Sequence, residues 1–159
     1  MTVRMSTGLR EDLLGHLKDD TFDGAVLYLF GGTQPSSADA TEANATTLVI
    51  ITLGGLSFTP GSQTNGLDFG DITSSSTEKS STLAKPSAAE WKGTAIASGT
   101  ITWGRLYSND RTQGYNAAAI RIDGSASTVS GSDFVVSSVS AVAGVPIVVT
   151  QMNLKFVSN

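Results

Sequence analysis

Apolar residues recur at two periods along this chain. Near the N-terminus, Leu9, Leu13, Leu14 and Leu17 fall at i, i+4, i+5 and i+8, one stripe at helical period. Ser6 and Thr7 are suited to cap such a helix, and Glu11 and Asp12 lie near the positive end of its dipole. The spacing predicts a short helix over about residues 7–17, weakened by Gly15. A helix of that length is not stable alone. It must therefore pack on the rest of the chain or on a neighbouring subunit. Residues 1–23 are expected to form this helical segment and residues 24–159 a single β domain.

From Gly24 onward the period drops to two. Ala25–Phe30, Thr46–Leu53, Leu67–Phe69, Ser80–Lys85, Thr94–Ala97, Thr100–Tyr107, Ala118–Asp123, Phe134–Val139 and Ile147–Val157 read as short strands. Turn clusters separate them: Gly31-Gly32, Gly54-Gly55, Pro60-Gly61, Asn65-Gly66 and Asp123-Gly124. The last run alternates clearly, with Val149, Gln151, Asn153, Lys155 and Val157 set against Val148, Thr150, Met152, Leu154 and Phe156. No stretch supplies the crossover helices that a parallel sheet requires. The pattern predicts an all-β fold, an antiparallel jelly-roll-like sandwich of about eight strands over one core. Ser74–Thr77 and Ser125–Ser132 are expected to be exposed loops.

Composition narrows the functional classes. The chain has 159 residues, enough for one ordinary core. Only 15% of its residues are charged, and 21 serines and 19 threonines take the place of the missing charge. The absence of cysteine removes any disulfide framework or thiolate nucleophile. A single histidine, His16, cannot build a zinc site of several histidines. A net charge of -4 gives no general attraction to nucleic acid or anionic lipid. Apolar runs such as Leu48–Ile51 are far too short to cross a bilayer as a helix, and no secretory signal pattern opens the chain. A soluble protein that needs neither cofactor nor metal, and partners neither nucleic acid nor membrane, is the expectation.

Candidate chemistry is sparse. Asp19-Asp20-Thr21-Phe22-Asp23-Gly24 imitates the start of a calcium loop, but the twelfth position, where a bidentate Glu is needed, is Phe30. A connection between helix and first strand is the better reading. His16 lies where a protonated imidazole favours a helix C-terminus, and no G-x-S-x-G elbow accompanies it. Glu78 and Glu90 would serve a glycosidase only if held ~5–10 Å apart, and both lie in polar, turn-like sequence. Trp91, Trp103, Tyr107 and Tyr115 could stack on sugars. Trp103 is instead assigned to the inner face of its strand, and Trp91 and Tyr115 to an interface. No catalytic, cofactor-binding or metal-binding residue is assigned. The interface residues assigned are Leu9, Leu13, Leu17, Trp91 and Tyr115.

An ordered set of segments along most of the chain resembles small structural proteins of tailed bacteriophages. It begins with Met5-Ser6-Thr7-Gly8-Leu9-Arg10 before Leu13-Leu14 and continues with Gly32-Thr33-Gln34-Pro35-Ser36-Ser37-Ala38-Asp39-Ala40. Phe58-Thr59-Pro60-Gly61, Asn65-Gly66-Leu67-Asp68-Phe69 and Glu90-Trp91-Lys92-Gly93-Thr94-Ala95 follow, then Gly99-Thr100-Ile101-Thr102-Trp103-Gly104-Arg105. The resemblance implies a head decoration or cement protein on the capsid surface of a virion, assembled in the host cytoplasm. Its partners would be the major capsid protein or other virion proteins, and its own copies in a homodimer or homotrimer. The alternative from another class is a carbohydrate-binding jelly-roll module of a phage tail or fibre. A small glycan-cleaving enzyme ranks third.

Overall fold

The structure, a computed structural model, describes residues 4–157. It begins with helix α1, Thr7–His16, capped by the Ser6 hydroxyl, which accepts from the Leu9 amide at 3.2 Å. A single π-helical turn, Leu17–Thr21, carries the chain to the first strand. Eleven strands follow among the described residues: β1 Val26–Gly32, β2 Ala45–Leu53, β3 Thr73–Ser75, β4 Ser80–Ala84, β5 Trp91–Thr94, β6 Gly99–Thr100, β7 Trp103–Tyr107, β8 Arg121–Ser127, β9 Phe134–Val136, β10 Ser140–Ala141 and β11 Pro146–Val157.

Seven of these strands close on themselves in the order β11-β5-β2-β1-β7-β8-β9, with β9 pairing back onto β11. The fold is all-β, but its sheet is a barrel rather than two facing sheets. One pair, β8 with β9, is parallel, with Ala126 opposite Phe134 and Ser127 opposite Val135. Two register breaks help the sheet curve, at Leu29–Phe30 in β1 and between Val149 and Gln151 in β11. Gln151 and Met152 still pair with β9 beyond the second break, and from Asn153 onward β11 pairs with β4, which pairs with β3. Helix α1 lies against this three-stranded extension. The Ser74 hydroxyl donates to Glu11 at 2.6 Å, and Arg10, buried in the joint, donates through Nε to the Ser81 hydroxyl at 3.3 Å.

Alternation explains the packing. Leu27 and Leu29 of β1 point inward with Val49, Ile51, Trp91, Leu106, Phe134, Val136, Ile147 and Val149, which fill the barrel. Val26, Tyr28 and Phe30 point outward, yet they are buried as well. With Trp103 and Tyr107 they make a second core on the outside of the β1–β7 wall. Phe30 and Trp103 stack at 4.3 Å between ring centres, and Tyr28 meets Tyr107 edge-on at 5.4 Å. Such contacts contribute ~0.5–1.5 kcal/mol each beyond the burial of their area.

Several expectations are corrected here. Trp103 is buried, but outside the barrel and not on its inner face. Asp123-Gly124 does not close a strand; it lies in the middle of β8, where a Cβ on Gly124 would fall 2.6 Å from that of Asp133. Ser125–Ser127 belong to β8, and Ser74 and Ser75 to β3, so neither segment is wholly loop. The expected strand at Thr94–Ala97 is shifted to Trp91–Thr94, and Leu67 makes only an isolated bridge to Ala25.

Candidate functional site

The residues assigned to an interface do not come together. The leucine stripe of α1 divides. Leu14 is buried and Leu17 packs against the barrel core, whereas Leu9 is 47% and Leu13 39% exposed. The helix thus docks through Leu14, Leu17 and Arg10, and Leu17 is a contact within the chain. Leu9 and Leu13 face solvent. Trp91 is a correction: it is wholly buried in the barrel, edge-on to Phe69 at 5.2 Å, and reaches no surface. Tyr115 does reach the surface, at 77% exposure, in the connection between β7 and β8.

The side chains capable of chemistry gather on the outer face of β7 and β8. Arg105 is buried and sits in a forked pair with Asp123, Nε to Oδ1 at 2.5 Å and Nη2 to Oδ2 at 2.6 Å. Its Nη1 donates to Glu42 Oε1 at 2.5 Å and to the Ala40 carbonyl at 2.9 Å. The Tyr107 hydroxyl donates to the same Glu42 oxygen. Arg121 stands 3.9 Å from Glu42 and donates to the carbonyls of Asp39 and Gly114, both at 2.8 Å. Cation–π contact with Trp103, at 5.6 Å, completes the enclosure of Arg105.

Electrostatics show what this cluster does. Burial alone would raise the Glu42 carboxyl, and the Tyr107 hydroxyl and Arg105 override it, holding Glu42 below its ordinary value. Burial and the neighbouring carboxylate both push the Tyr107 hydroxyl up. Burial opposes charge on Arg105, and its two carboxylates overcome that, so it stays protonated. A carboxylate shared between guanidinium groups and a phenol is a poor base, and a phenol held this way is a poor acid. The cluster acts as a latch. It ties the 33–44 and 108–120 connections to the barrel wall and to each other, with an Asn116 amide to Asp39 carbonyl bond at 3.0 Å between them.

The other candidates are scattered and paired locally. Glu78 accepts from Lys155 at 2.5 Å and Glu90 from Lys92 at 2.9 Å, each at the surface. His16 pairs with Asp20 at 2.7 Å; the hydrogen bond to Asp20, with Asp12 nearby, raises its pKa. Among the described residues no group of three or more His, Asp or Glu side chains is placed to hold a metal.

A surface not anticipated from the alternation lies where β5 ends and β11 begins. The 95–98 and 142–145 connections are stitched together by Ala95 amide to Val145 carbonyl at 3.0 Å and Gly144 amide to Ala95 carbonyl at 2.8 Å. The Ala143 amide adds a bond to the Ser98 hydroxyl at 3.0 Å. Ile96, Val142 and Val145 stand out from this tip, 60%, 51% and 47% exposed. No charged residue occurs between Lys92 and Arg105 or between Asp133 and Lys155, so both halves of the tip are free of charge. The sequence signal is those two long uncharged runs, in which Ile96 falls in an expected strand and Val142 and Val145 in the connection between two.

No protein-family model matches the chain, and neither a curated protein nor a solved structure matches it significantly.

Proposed function

We propose that this chain is a non-enzymatic structural protein of a tailed-phage virion, seated on the capsid surface as a decoration or cement protein. The observation that carries the reading is the uncharged apolar barrel end, Ile96, Val142 and Val145, facing solvent on a tip whose two connections are hydrogen-bonded to each other. Contiguous exposed apolar surface on a small domain marks a contact site. A specific contact buries ~1,600 Å² in total, more than this tip alone provides. Leu9, Leu13 and Tyr115, exposed elsewhere, supply further points of contact with capsid neighbours or with other copies in a dimer or trimer. Copies repeated over a shell strengthen each such contact by multivalency. The role needs a compact β scaffold with latched connections. A jelly roll would serve, and the closed barrel serves equally.

The test is removal. Particles stripped of this protein should lose resistance to heat or osmotic shock while host adsorption is unchanged. Loss of adsorption from shells that remain stable would overturn the reading in favour of a glycan-binding role on a tail or fibre.

A further inference from the structure

A separate feature lies beside the second core. β2, β5 and the 54–58 turn border a cavity of about 270 Å³, lined by Tyr28, Thr52, Gly55, Leu56, Thr94 and Arg111 among others. Arg111 reaches it from the 108–120 connection. The Arg111 guanidinium carbon lies 5.1 Å from the centre of the Tyr28 ring, its Nη1 donates to the Tyr28 hydroxyl, and its Nη2 donates to Gln113 at 2.9 Å. These contacts fix the group in place, and they are all neutral. Among the described residues no carboxylate stands within ion-pair distance of Arg111, in contrast to Arg105 and Arg121. Its Nε is shut off from water and has no acceptor. The residue also holds φ at +49°, the left-handed region that non-glycine residues rarely adopt.

One side chain thus combines three costs: backbone strain, an orphaned donor and an uncompensated, partly buried cation. Strain of that kind gathers at ligand sites. An oxyanion in the cavity would supply the missing counter-charge, and the planar guanidinium matches a carboxylate or a phosphate. Among apolar neighbours the lining also offers hydroxyls: Thr52, which holds the turn by donating to the Leu56 carbonyl at 2.7 Å, and the exposed Thr94. The volume, about 270 Å³, falls just below the ~300–1,000 Å³ of sites for drug-sized ligands, room for a small anion only.

We infer that this cavity binds the carboxylate or phosphate group of a small polar ligand, with Arg111 as its charged contact. The inference stands apart from the adhesive role and neither requires nor supports it.

An NMR titration of the full chain tests it, following the Arg111 Nε–H signal and the amides of Gly55 and Thr94. The probes are inorganic phosphate, glucuronate and, as neutral control, methyl glucoside, at constant ionic strength. Phosphate or glucuronate should give saturable shifts at these positions and methyl glucoside none; the anion that binds identifies the source of the charge. Arg111→Gln should weaken binding by roughly tenfold or more, equivalent to about 1.4 kcal/mol. Ser57→Glu, at an exposed position lining the same cavity, should place a competing carboxylate there and abolish the response without unfolding the chain. If Arg111→Gln does not fold, Ser57→Glu decides alone. The inference fails if neither anion gives a saturable shift, if the neutral sugar binds as well, or if Ser57→Glu binds like the parent chain.

Discussion

Replacing Arg105 by Met removes one cation from between two carboxylates while nearly keeping its volume. The parent side chain makes four hydrogen bonds, two to Asp123 and one each to Glu42 and the Ala40 carbonyl. Asp123 is only 6% exposed and would be left with no guanidinium beside it. Arg121, 3.9 Å from Glu42, would recover part of that carboxylate's pairing and nothing of Asp123's. Breaking a buried pair from one side costs ~3–5 kcal/mol, because a buried charge is left uncompensated. For a domain of this size each kcal/mol moves Tm by about 2–4 °C, so Arg105→Met should melt about 10 °C lower. Urea unfolding followed by the fluorescence of Trp91 and Trp103, with far-ultraviolet circular dichroism as second probe, measures the loss. The triple change Arg105→Met, Glu42→Gln, Asp123→Asn should recover part of it, since neither carboxylate is then left facing the space that Arg105 filled, although the buried Arg121 loses Glu42 as its partner. A loss below about 1 kcal/mol, the range of an exposed ion pair, would refute the latch.

Acid should reveal the same pairing. The folded pKa of Glu42 lies below its ordinary value, so its contribution to stability is present above the unfolded pKa and fades as pH falls through the folded one; Glu42→Gln should flatten that acid limb in pH-dependent urea melts. His16 titrates the other way. Its folded pKa is raised, so its contribution is complete below the ordinary value of 6.5 and is lost as pH rises through the folded midpoint. An NMR titration should place that midpoint above 6.5, and Asp20→Asn should lower it. Leu14→Asp should prevent folding, since it puts a charge into the core, whereas Leu13→Asp should leave circular dichroism and Tm near those of the parent chain. Gly93→Ala should cost ~3 kcal/mol or more, because its Cβ would fall 1.9 Å from the Ile50 carbonyl oxygen and force β2 and β5 apart; a chain of parental Tm would contradict that geometry.

Local physics explains what could be read in advance. The α1 helix, its Ser6 cap and strands β1, β2, β4 and β11 follow from short-range periodicity, which acts within a few residues. The helical stripe was legible, but which leucines touch the barrel was not. Leu13 and Leu14 are adjacent, and the angle at which α1 meets β4 decides between them. Alternation from Ile101 to Tyr107 places Ile101, Trp103, Arg105 and Tyr107 on one face; Ile101 joins the inner core, whereas the face that carries Trp103, Arg105 and Tyr107 is covered by the 33–44 connection and marks an outer core. Gly124 looked like a turn because Asp-Gly usually is one. Its smallness instead accommodates Asp133 and Phe134 from across the sheet, a contact that no local pattern encodes. Barrel closure through β9 and β11, and the parallel β8–β9 pair, are likewise long-range choices. Arg111 carried no signal at all, since its solitude depends on which carboxylates the fold brings near.

The adhesive role is tested most directly by an electron cryo-microscopy map of the intact particle. It should show the barrel on the outer capsid surface, with Ile96, Val142 and Val145 pressed against a neighbouring subunit. A complete map without this chain, or with that barrel end turned to open solvent, would contradict the account.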